Sequence, residues 1–503
     1  MPSGNDTGLT ESWLAAVAQI VGLLNGLGTV SAMSAAFPSL LLAAVAISSR
    51  ASGAESPNPA SSNRPNIVFI LSDDLGYGEL GCYGQKLIQT PRIDRMAAEG
   101  VRFTDCYAGC TVCAPSRCTL MTGLHTGHCR IRGNAAVPLL PDDVTVAKVL
   151  HAAGYATGII GKWGLGGPDS SGIPNQQGFD YWLGYLDQVH AHNYYPDYLW
   201  RNEQKVPLPN VVIKGVATKR VVYSHDLFAA EALEFVERHK SEPFFLYLAF
   251  TIPHANNEAF KAGQDGMEVP DDKPYSDRDW PRVEKNKAAM ITRMDADVGR
   301  LLDKLKALGL DERTIVFFTS DNGPHKEGGV DPAFFRAGGP LRGTKRDLYD
   351  GGIREPMIVR WPGRIAPGQT SDFVWAFWDF LPTAAELAGV KRPSGLDGIS
   401  VDPVLLAPPG KAANVPPHEF LYWEFHEGGF LQAARMGRWK AVRTKLDRPL
   451  ELYDLPADPG EATNLAEKHP EIVARIEAYL KTARTDSPQW PVQIVPKKSG
   501  APN

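Results

Sequence analysis

The chain has 503 residues and carries 52 lysines and arginines against 57 aspartates and glutamates, so its formal net charge is −5. Hydrophobic residues make up 43% of the chain and charged residues 22%, which is close to the composition of folded globular proteins and excludes a disordered or fibrous chain. The mild negative charge offers no clustered basic surface of the kind that binds nucleic acid, so we expect no nucleic-acid partner.

The first 54 residues differ from the rest of the chain because they contain very few ionisable side chains. Residues 35–47 form an apolar run of signal-peptide length, and Ser52-Gly53-Ala54 is typical of the small-residue sites at which signal peptides are cleaved. We therefore predict a signal peptide over residues 1–54, with Met33 as a second candidate start. A linker rich in Ser, Asn and Pro follows over residues 55–63.

A membrane anchor is the alternative for this N-terminal segment, because residues 13–30 are also mostly apolar. No cysteine precedes Cys82, which argues against a lipid anchor. We expect export to the periplasm or the extracellular space, without stable membrane association.

Four apolar segments with the composition of buried β-strands each run into polar residues. Helical patterns over residues 145–153, 225–239 and 286–308 lie between them, so we predict an α/β fold in which helices cover both faces of a large, mostly parallel sheet. Ligands of such sheets bind beyond the carboxyl ends of the strands. The strands and the polar residues after them are residues 66–71 with Asp73 and Asp74, residues 155–160 with Lys162, residues 244–250 with His254, and residues 314–319 with Asp321 and Asn322.

Asp73, Asp74, Asp321 and Asn322 carry the hard oxygen donors that Ca²⁺ and Mg²⁺ prefer. A single Asp-Asp or Asp-Asn-Gly sequence is most often a turn or a helix cap. Two such sequences, each at the end of a buried strand, favour a shared metal site. We therefore predict one bound divalent cation at this edge of the sheet.

All six cysteines lie between Cys82 and Cys129, and their pattern defines no disulfide connectivity and only a weak zinc signal. Cys113-Ala-Pro-Ser-Arg117 is followed by Thr122-Gly123. Proline is typical of a first helical position and glycine of a helix end, so we expect Cys113 at a helix N-terminus. The unpaired N–H groups there suit an oxyanion, and they equally suit an ordinary thiol of lowered pKa.

Cys113-x-Pro115-x-Arg117 with Thr122-Gly123 resembles the signature of the type I sulfatases of the alkaline-phosphatase superfamily. The resemblance spans about residues 66–480 and implies an alkaline-phosphatase-like fold, in which helices enclose a large mixed, mostly parallel sheet. It also implies that a formylglycine-generating enzyme oxidises Cys113 to Cα-formylglycine (3-oxoalanine), the catalytic residue of the family.

The same resemblance assigns roles to further residues. It implies that residue 113 joins the four oxygen-donor residues as ligands of one cation, usually Ca²⁺, with Mg²⁺ as the alternative. Arg117 and Lys162 would hold the nucleophile, while His254 and Lys345 would stand at the departing oxygen, with His254 as general acid. These roles imply a sulfuric ester hydrolase in which hydrated formylglycine attacks the sulfur of a sulfate monoester.

Gly161-Lys-Trp-Gly164 departs from the family pattern, which commonly has a histidine at the fourth position that hydrogen bonds a formylglycine hydroxyl. We hypothesise that His190 or His192 replaces the missing group. We also predict that both histidines, together with His426, contact the substrate. The alternative is that all three are ordinary polar residues of loops and strand ends.

After Gly395 the sequence changes to shorter segments, with strands expected over residues 420–425, 430–436 and 439–444 and a last helix over residues 470–483. We therefore predict a catalytic domain over residues 64–395. A small C-terminal α+β subdomain with an antiparallel sheet follows over residues 396–490, and a tail over residues 491–503.

The aromatic and polar residues between positions 185 and 198 suit stacking on sugar rings. We therefore expect a sulfated carbohydrate substrate, of the galactose or N-acetylgalactosamine type, and a role in the degradation of sulfated polysaccharides. Two alternatives stay open at this point. One is a phosphate or phosphonate ester hydrolase of the same superfamily, and the other is a non-catalytic protein that binds sulfated glycans.

Overall fold

The computed structural model describes residues 64–411 and 413–492. The predicted signal peptide and linker, and the predicted tail beyond residue 492, lie outside these residues. Among the helices of the described ranges, none combines the length and the hydrophobicity needed to cross a membrane.

The described chain alternates strands and helices through its first three quarters and ends in a run of strands. The strands are Asn66–Ser72 (β1), Val101–Tyr107 (β2), Ala156–Lys162 (β3), Tyr181–Tyr185 (β4), Tyr198–Arg201 (β5), Gln204–Pro207 (β6), Val211–Ile213 (β7), Val216–Lys219 (β8), Phe244–Ala249 (β9), Thr314–Ser320 (β10), Arg354–Arg360 (β11), Gln369–Ser371 (β12), Trp375–Ala376 (β13), Leu421–Phe425 (β14), Leu431–Met436 (β15), Trp439–Arg443 (β16) and Glu451–Asp454 (β17). The helices are Pro91–Ala98 (α1), Cys113–Thr122 (α2), Val146–Ala152 (α3), Ser224–Arg238 (α4), Asn257–Lys261 (α5), Arg282–Ala307 (α6), Asp350–Ile353 (α7), Phe380–Leu387 (α8), Asp402–Leu405 (α9) and Pro470–Leu480 (α10).

The main sheet has eleven strands, and its centre is parallel, as the sequence predicts. The strand order is β12-β2-β11-β10-β1-β9-β3-β4-β5-β6, with β13 paired to β2. Strands β10, β1, β9, β3 and β4 run parallel to one another. Antiparallel strands flank this centre: β11 pairs antiparallel with β10, and β5 pairs antiparallel with β4. The predicted α/β architecture is therefore confirmed.

The sequence of strand β1 is apolar at almost every position and does not alternate between apolar and polar residues. Every residue of the strand is buried. Val68 and Ile70 pack in a hydrophobic cluster with helices α4 and α6, whereas Ile67 and Phe69 pack on the other face with helices α2, α3 and α8. A strand covered on both faces needs apolar side chains at successive positions, which is the pattern of a central parallel strand.

The C-terminal strands form a separate antiparallel sheet in the order β14-β15-β16-β17, with helix α10 packed on it. Trp423 of β14 donates from its indole Nε1 to the carbonyl of Ala108 over 2.9 Å. The Cys110 thiol likewise donates to the carbonyl of Glu424. The small sheet therefore contacts the loop that leads into helix α2.

Candidate active site

Four strands of the main sheet deliver polar residues to one edge. Ser72 of β1 and Ser320 of β10 are partners in the parallel register, so the residues after them leave the sheet side by side. The Asp321 amide donates to the Ser72 carbonyl over 3.0 Å, and the Asp74 amide donates to Asp321 Oδ1 over 3.2 Å. The predicted convergence of the two acidic pairs follows from this register.

Cys113 is the first residue of helix α2, which follows the extended residue Val112. Pro115 is thus the third helical residue, two positions later than the sequence predicts, and still lies in the first turn, where no N–H partner is needed. The Cys113 side chain is 2% exposed, and its Sγ donates to Asp73 Oδ1 over 3.3 Å. The side chain of residue 113 is thereby held against the predicted metal ligands.

Arg117 lies one turn further along the same helix and is completely buried. Its guanidinium donates from Nε and Nη2 to Asp321 Oδ2, over 3.0 and 2.7 Å, and from Nη1 to the carbonyl of Lys162 over 2.9 Å. A planar guanidinium with several fixed partners is a rigid source of positive charge. Arg117 therefore links helix α2, which carries Cys113, to strands β10 and β3.

Two lysines clamp the neighbouring aspartates. Lys162 Nζ donates to Asp73 Oδ2 over 2.7 Å, and Lys345 Nζ donates to Asp74 Oδ2 over 2.8 Å. Both ammonium groups are nearly inaccessible to solvent. Because the interior has a low dielectric constant, their charges act strongly on any anion that enters the cluster.

His254 follows strand β9 and lies beside Lys345. Its Nδ1 donates to the Ala255 carbonyl over 2.7 Å, which leaves Nε2 to accept a hydrogen bond from Lys345 Nζ over 2.9 Å. Burial and the charge of Lys345 lower the pKa of His254 well below its usual value. The imidazole and the ammonium group therefore form one hydrogen-bonded pair at the cluster.

The buried charges also control the thiol. Burial opposes ionisation of Asp73, but Lys162 and the other nearby cations outweigh it and hold the pKa of Asp73 well below its usual range. Burial and the negative charge of Asp73 together raise the pKa of the Cys113 thiol well above its usual value. An unmodified Cys113 is therefore protonated and a poor nucleophile, unlike the low-pKa thiol that the helix N-terminus alone permits.

The oxygen donors of the cluster suit a hard divalent cation. One ligand atom each from Asp73, Asp74, Cys113 and His254 lies within 4.8 Å of the others. Asn322 Nδ2 donates to Asp74 Oδ1 over 2.7 Å, whereas the buried Asn322 Oδ1 has no hydrogen-bond partner among the described residues. Three carboxylates and an unused amide oxygen are the donors that Ca²⁺ or Mg²⁺ prefers.

The three candidate substrate histidines lie in different surroundings. His192 stacks on His254, with ring centroids 4.6 Å apart, and its Nδ1 is 2.8 Å from Glu258 Oε2. His190 packs between Tyr185 and Tyr198, with centroid distances of 5.0 and 4.4 Å.

His426 pairs with Glu424 over 3.0 Å and packs against Phe430 and Trp490. Among the hydrogen bonds, ion pairs and ring contacts of the described residues, only His192 of these three histidines reaches the cluster around Asp73 and Lys345.

Two polar residues that lie at the cluster or at the start of helix α2 were not predicted from the sequence. Glu327 Oε2 lies 3.5 Å from Lys345 Nζ and 3.8 Å from His254 Nε2. Asn134 accepts the Ala114 amide at the start of helix α2 over 3.0 Å. Glu327 follows the Asp321-Asn322 pair within one loop, which was the available signal, whereas no local pattern marks Asn134.

Comparison with known proteins agrees with this geometry. A family model described as Sulfatase matches residues 65–390, and one described as N-sulphoglucosamine sulphohydrolase, C-terminal, matches residues 343–486. Arylsulfatase A of Homo sapiens is 35% identical over 80% of this chain and 83% of its own length. An N-acetylgalactosamine-6-O-sulfatase of Bacteroides thetaiotaomicron is 30% identical over 85% of this chain and 94% of its own length.

Solved structures give the same result. The crystal structure of Ps i-CgsB in complex with k-i-k-neocarrahexaose superposes with a TM-score of 0.71 at 27% identity, and covers 84% of this chain and 94% of that chain. A match over most of both chains extends the similarity from the motifs to the whole fold. The chain belongs to the sulfatase family of the alkaline-phosphatase superfamily and is a sulfuric ester hydrolase.

Proposed function

We propose that this protein hydrolyses a sulfate monoester on a carbohydrate, with the converted side chain of Cys113 as nucleophile and a bound divalent cation. The observation that carries this proposal is the position of Cys113. Its Sγ lies 3.3 Å from Asp73 Oδ1, inside a buried cluster in which three carboxylates face three cationic side chains. A divalent cation added to this cluster raises its positive charge and makes it more complementary to an anionic ester.

Asp73, Asp74, Asp321 and Asn322 would hold the cation, with Ca²⁺ as the proposed ion and Mg²⁺ as the alternative. This assignment is supported by Asn322 Oδ1, which has no hydrogen-bond partner within residues 64–411 and 413–492. When bound, the cation would lower the pKa of a coordinated hydroxyl and screen the negative charge of the sulfuryl oxygens.

We propose that a formylglycine-generating enzyme converts Cys113 before the chain folds. Cys113 is 2% exposed and lies in a fully buried helix, so a modifying enzyme reaches it only in the unfolded chain. When converted, residue 113 would supply a hydrated aldehyde, whose two hydroxyls provide a nucleophile for sulfur and a route for sulfate release.

The remaining side chains position the ester and move one proton. Arg117 and Lys162 would keep fixed positive charge beside residue 113, where negative charge develops on the sulfuryl oxygens. Lys345 Nζ donates to His254 Nε2, so these two side chains hold a proton between them. We assign this pair to the departing ester oxygen, with His254 as the general acid that passes on the proton it receives from Lys345.

We propose a sulfated sugar of the galactose or N-acetylgalactosamine type as the substrate. Similar proteins include N-acetylgalactosamine-6-sulfatases, and a similar structure contains a neocarrahexaose. His192 would contact the sugar, because it stacks on His254 at the side where the alcohol departs. We further propose that the chain is exported, as its apolar N-terminal segment predicts.

Mass spectrometry of the peptide that contains residue 113, combined with hydrolysis assays, tests this function. We expect an aldehyde at residue 113 in the wild-type protein and turnover of aryl sulfates and sulfated galactosamine, with much slower turnover of aryl phosphates. Cys113→Ala is expected to lose at least about a thousandfold in kcat while the melting temperature stays unchanged. A Cys110→Ala variant that keeps its activity is the matched control, and a fully active Cys113→Ala variant would refute the nucleophile.

A further inference from the structure

Gln188 has a buried side-chain amide. Neither its Oε1 nor its Nε2 has a hydrogen-bond partner among the described residues, and both atoms are shielded from solvent. A buried amide that stays unpaired costs about 1–3 kcal/mol per polar group. Such a cost is expected where the amide binds a ligand or a modified side chain in the working protein.

The Gln188 amide lies against Gly164, two residues after Lys162. A Cβ atom added to Gly164 would be 2.2 Å from Gln188 Nε2, so the amide occupies the space that a side chain at position 164 would need. Gly164 also has a φ of +79°, a conformation that other residues rarely adopt. The glycine and the glutamine therefore form a matched pair.

Backbone hydrogen bonds fix this pair relative to the catalytic cluster. The amides of Trp163 and Gly164 donate to the carbonyls of Tyr185 and Leu186, over 3.0 and 3.1 Å. The segment that carries Gln188 therefore runs beside residues 163 and 164, just after the end of β3. At the end of β3, Lys162 donates to one carboxylate oxygen of Asp73, and the Cys113 thiol donates to the other.

We propose that the amide of Gln188 hydrogen bonds a hydroxyl of the converted residue 113 and so takes the place of a histidine at position 164. His190 and His192 do not fill this role, because His190 packs between two tyrosines and His192 pairs with Glu258. This inference rests on the proposed function, since it requires the aldehyde at residue 113. Gln188 is a positioning residue, which orients the hydroxyl and favours the hydrate over the free aldehyde.

Gln188→Met tests the proposal because methionine has nearly the shape of glutamine but carries no amide. The variant should keep or raise the melting temperature, since it removes unpaired buried polar atoms. We expect kcat to fall about tenfold to a hundredfold with a change in KM below about threefold. The rate at which an aminooxy probe labels residue 113 should rise several-fold, because less of the aldehyde is hydrated.

Gln204→Met, at an exposed position of β6, is the control and should match the wild-type protein in every measurement. Gly164→Ala, which pushes a Cβ into the amide, should lower kcat and speed labelling as Gln188→Met does. The inference would be overturned if Gln188→Met had the same kcat and the same labelling rate as the wild-type protein. It would also be overturned if the variant lost activity only in proportion to a lower melting temperature. A wild-type protein without aldehyde at residue 113 would instead overturn the proposed function.

Discussion

Asn322 uses only one end of its amide group within the protein. Nδ2 donates to Asp74 Oδ1 and to the Gly323 carbonyl, while the buried Oδ1 has no partner among the described residues. Burial of an unpaired carbonyl oxygen is unfavourable. Its position beside three carboxylates is explained if a cation completes the cluster when the protein is active.

Asn322→Ala is therefore expected to weaken Ca²⁺ binding about tenfold to a hundredfold, since it removes one ligand oxygen. After chelation, the wild-type protein should regain its activity at a lower Ca²⁺ concentration than the variant needs to regain its own. The Ca²⁺-dependent rise in Tm should shift to higher concentrations by the same factor, because a ligand stabilises the folded state according to its affinity. Asn414→Ala, at an exposed position, is the control. Activity that survives prolonged chelation would contradict the metal site.

Strand β3 delivers Lys162 to the site through an unusually close contact with β9. Gly161, the residue before Lys162, has a φ of +112°, and a Cβ atom there would be 1.8 Å from the Ala249 carbonyl oxygen. The two strands are paired in parallel at this position. Only glycine therefore fits at position 161 without a clash, directly before the lysine that contacts Asp73.

Gly161→Ala is expected to lower the free energy of unfolding by at least about 3 kcal/mol, because the strands must separate. Gly154→Ala is the matched control, since Gly154 also has a positive φ of +83° but open space around its Cβ position. The control should lose only about 1 kcal/mol from backbone strain. Urea denaturation measures both values, and equal losses in the two variants would show that the contact with β9 is unimportant.

At the scale of the whole molecule, buried ion pairs join the C-terminal sheet to the core. Glu424 of β14 accepts from Arg132 over 2.9 Å and from Arg484 over 2.8 Å, and it pairs with His426. Burial alone would raise its pKa, but these donors outweigh burial and lower the pKa of Glu424 to about 2. His426 therefore supports Glu424 within the C-terminal part, while Arg132 connects the same carboxylate to the main part of the molecule.

This network predicts an acid-sensitive contribution to stability. The folded-state pKa of Glu424 lies below its unfolded value, so its stabilisation is fully present above about pH 5 and is lost as the pH falls toward 2. Glu424→Gln should cost about 3 kcal/mol or more at pH 7, because two arginines lose their buried partner.

Urea denaturation of the wild-type protein and Glu424→Gln at several pH values checks this prediction. The difference in stability between them should shrink between pH 5 and pH 3. Glu419→Gln, at a solvent-exposed carboxylate, should differ little from the wild-type protein at any pH. A difference that does not depend on pH would exclude Glu424 as the titrating group.

Much of the fold and most of the site could be predicted from local sequence. Unbroken apolar runs identified the central strands, and the polar residues directly after them marked one edge of a parallel sheet. The length of helix α6 was underestimated, because its first turn, from Arg282, is mostly polar and lacks the apolar period. The family resemblance implied a mixed sheet, but the sequence did not indicate which strands are antiparallel, since strand direction depends on pairing with distant segments.

The sequence was sufficient for the sulfatase fold and for the convergence of its acidic strand ends on Cys113, because each depends on short motifs and on the parallel direction of adjacent strands. Tertiary structure was needed to find Gln188 beside Gly164, to separate His192 from His190 and His426, and to bring Glu327 to Lys345. These contacts join residues that are distant in the chain or lie on irregular loops, where no periodic pattern reports which way a side chain faces.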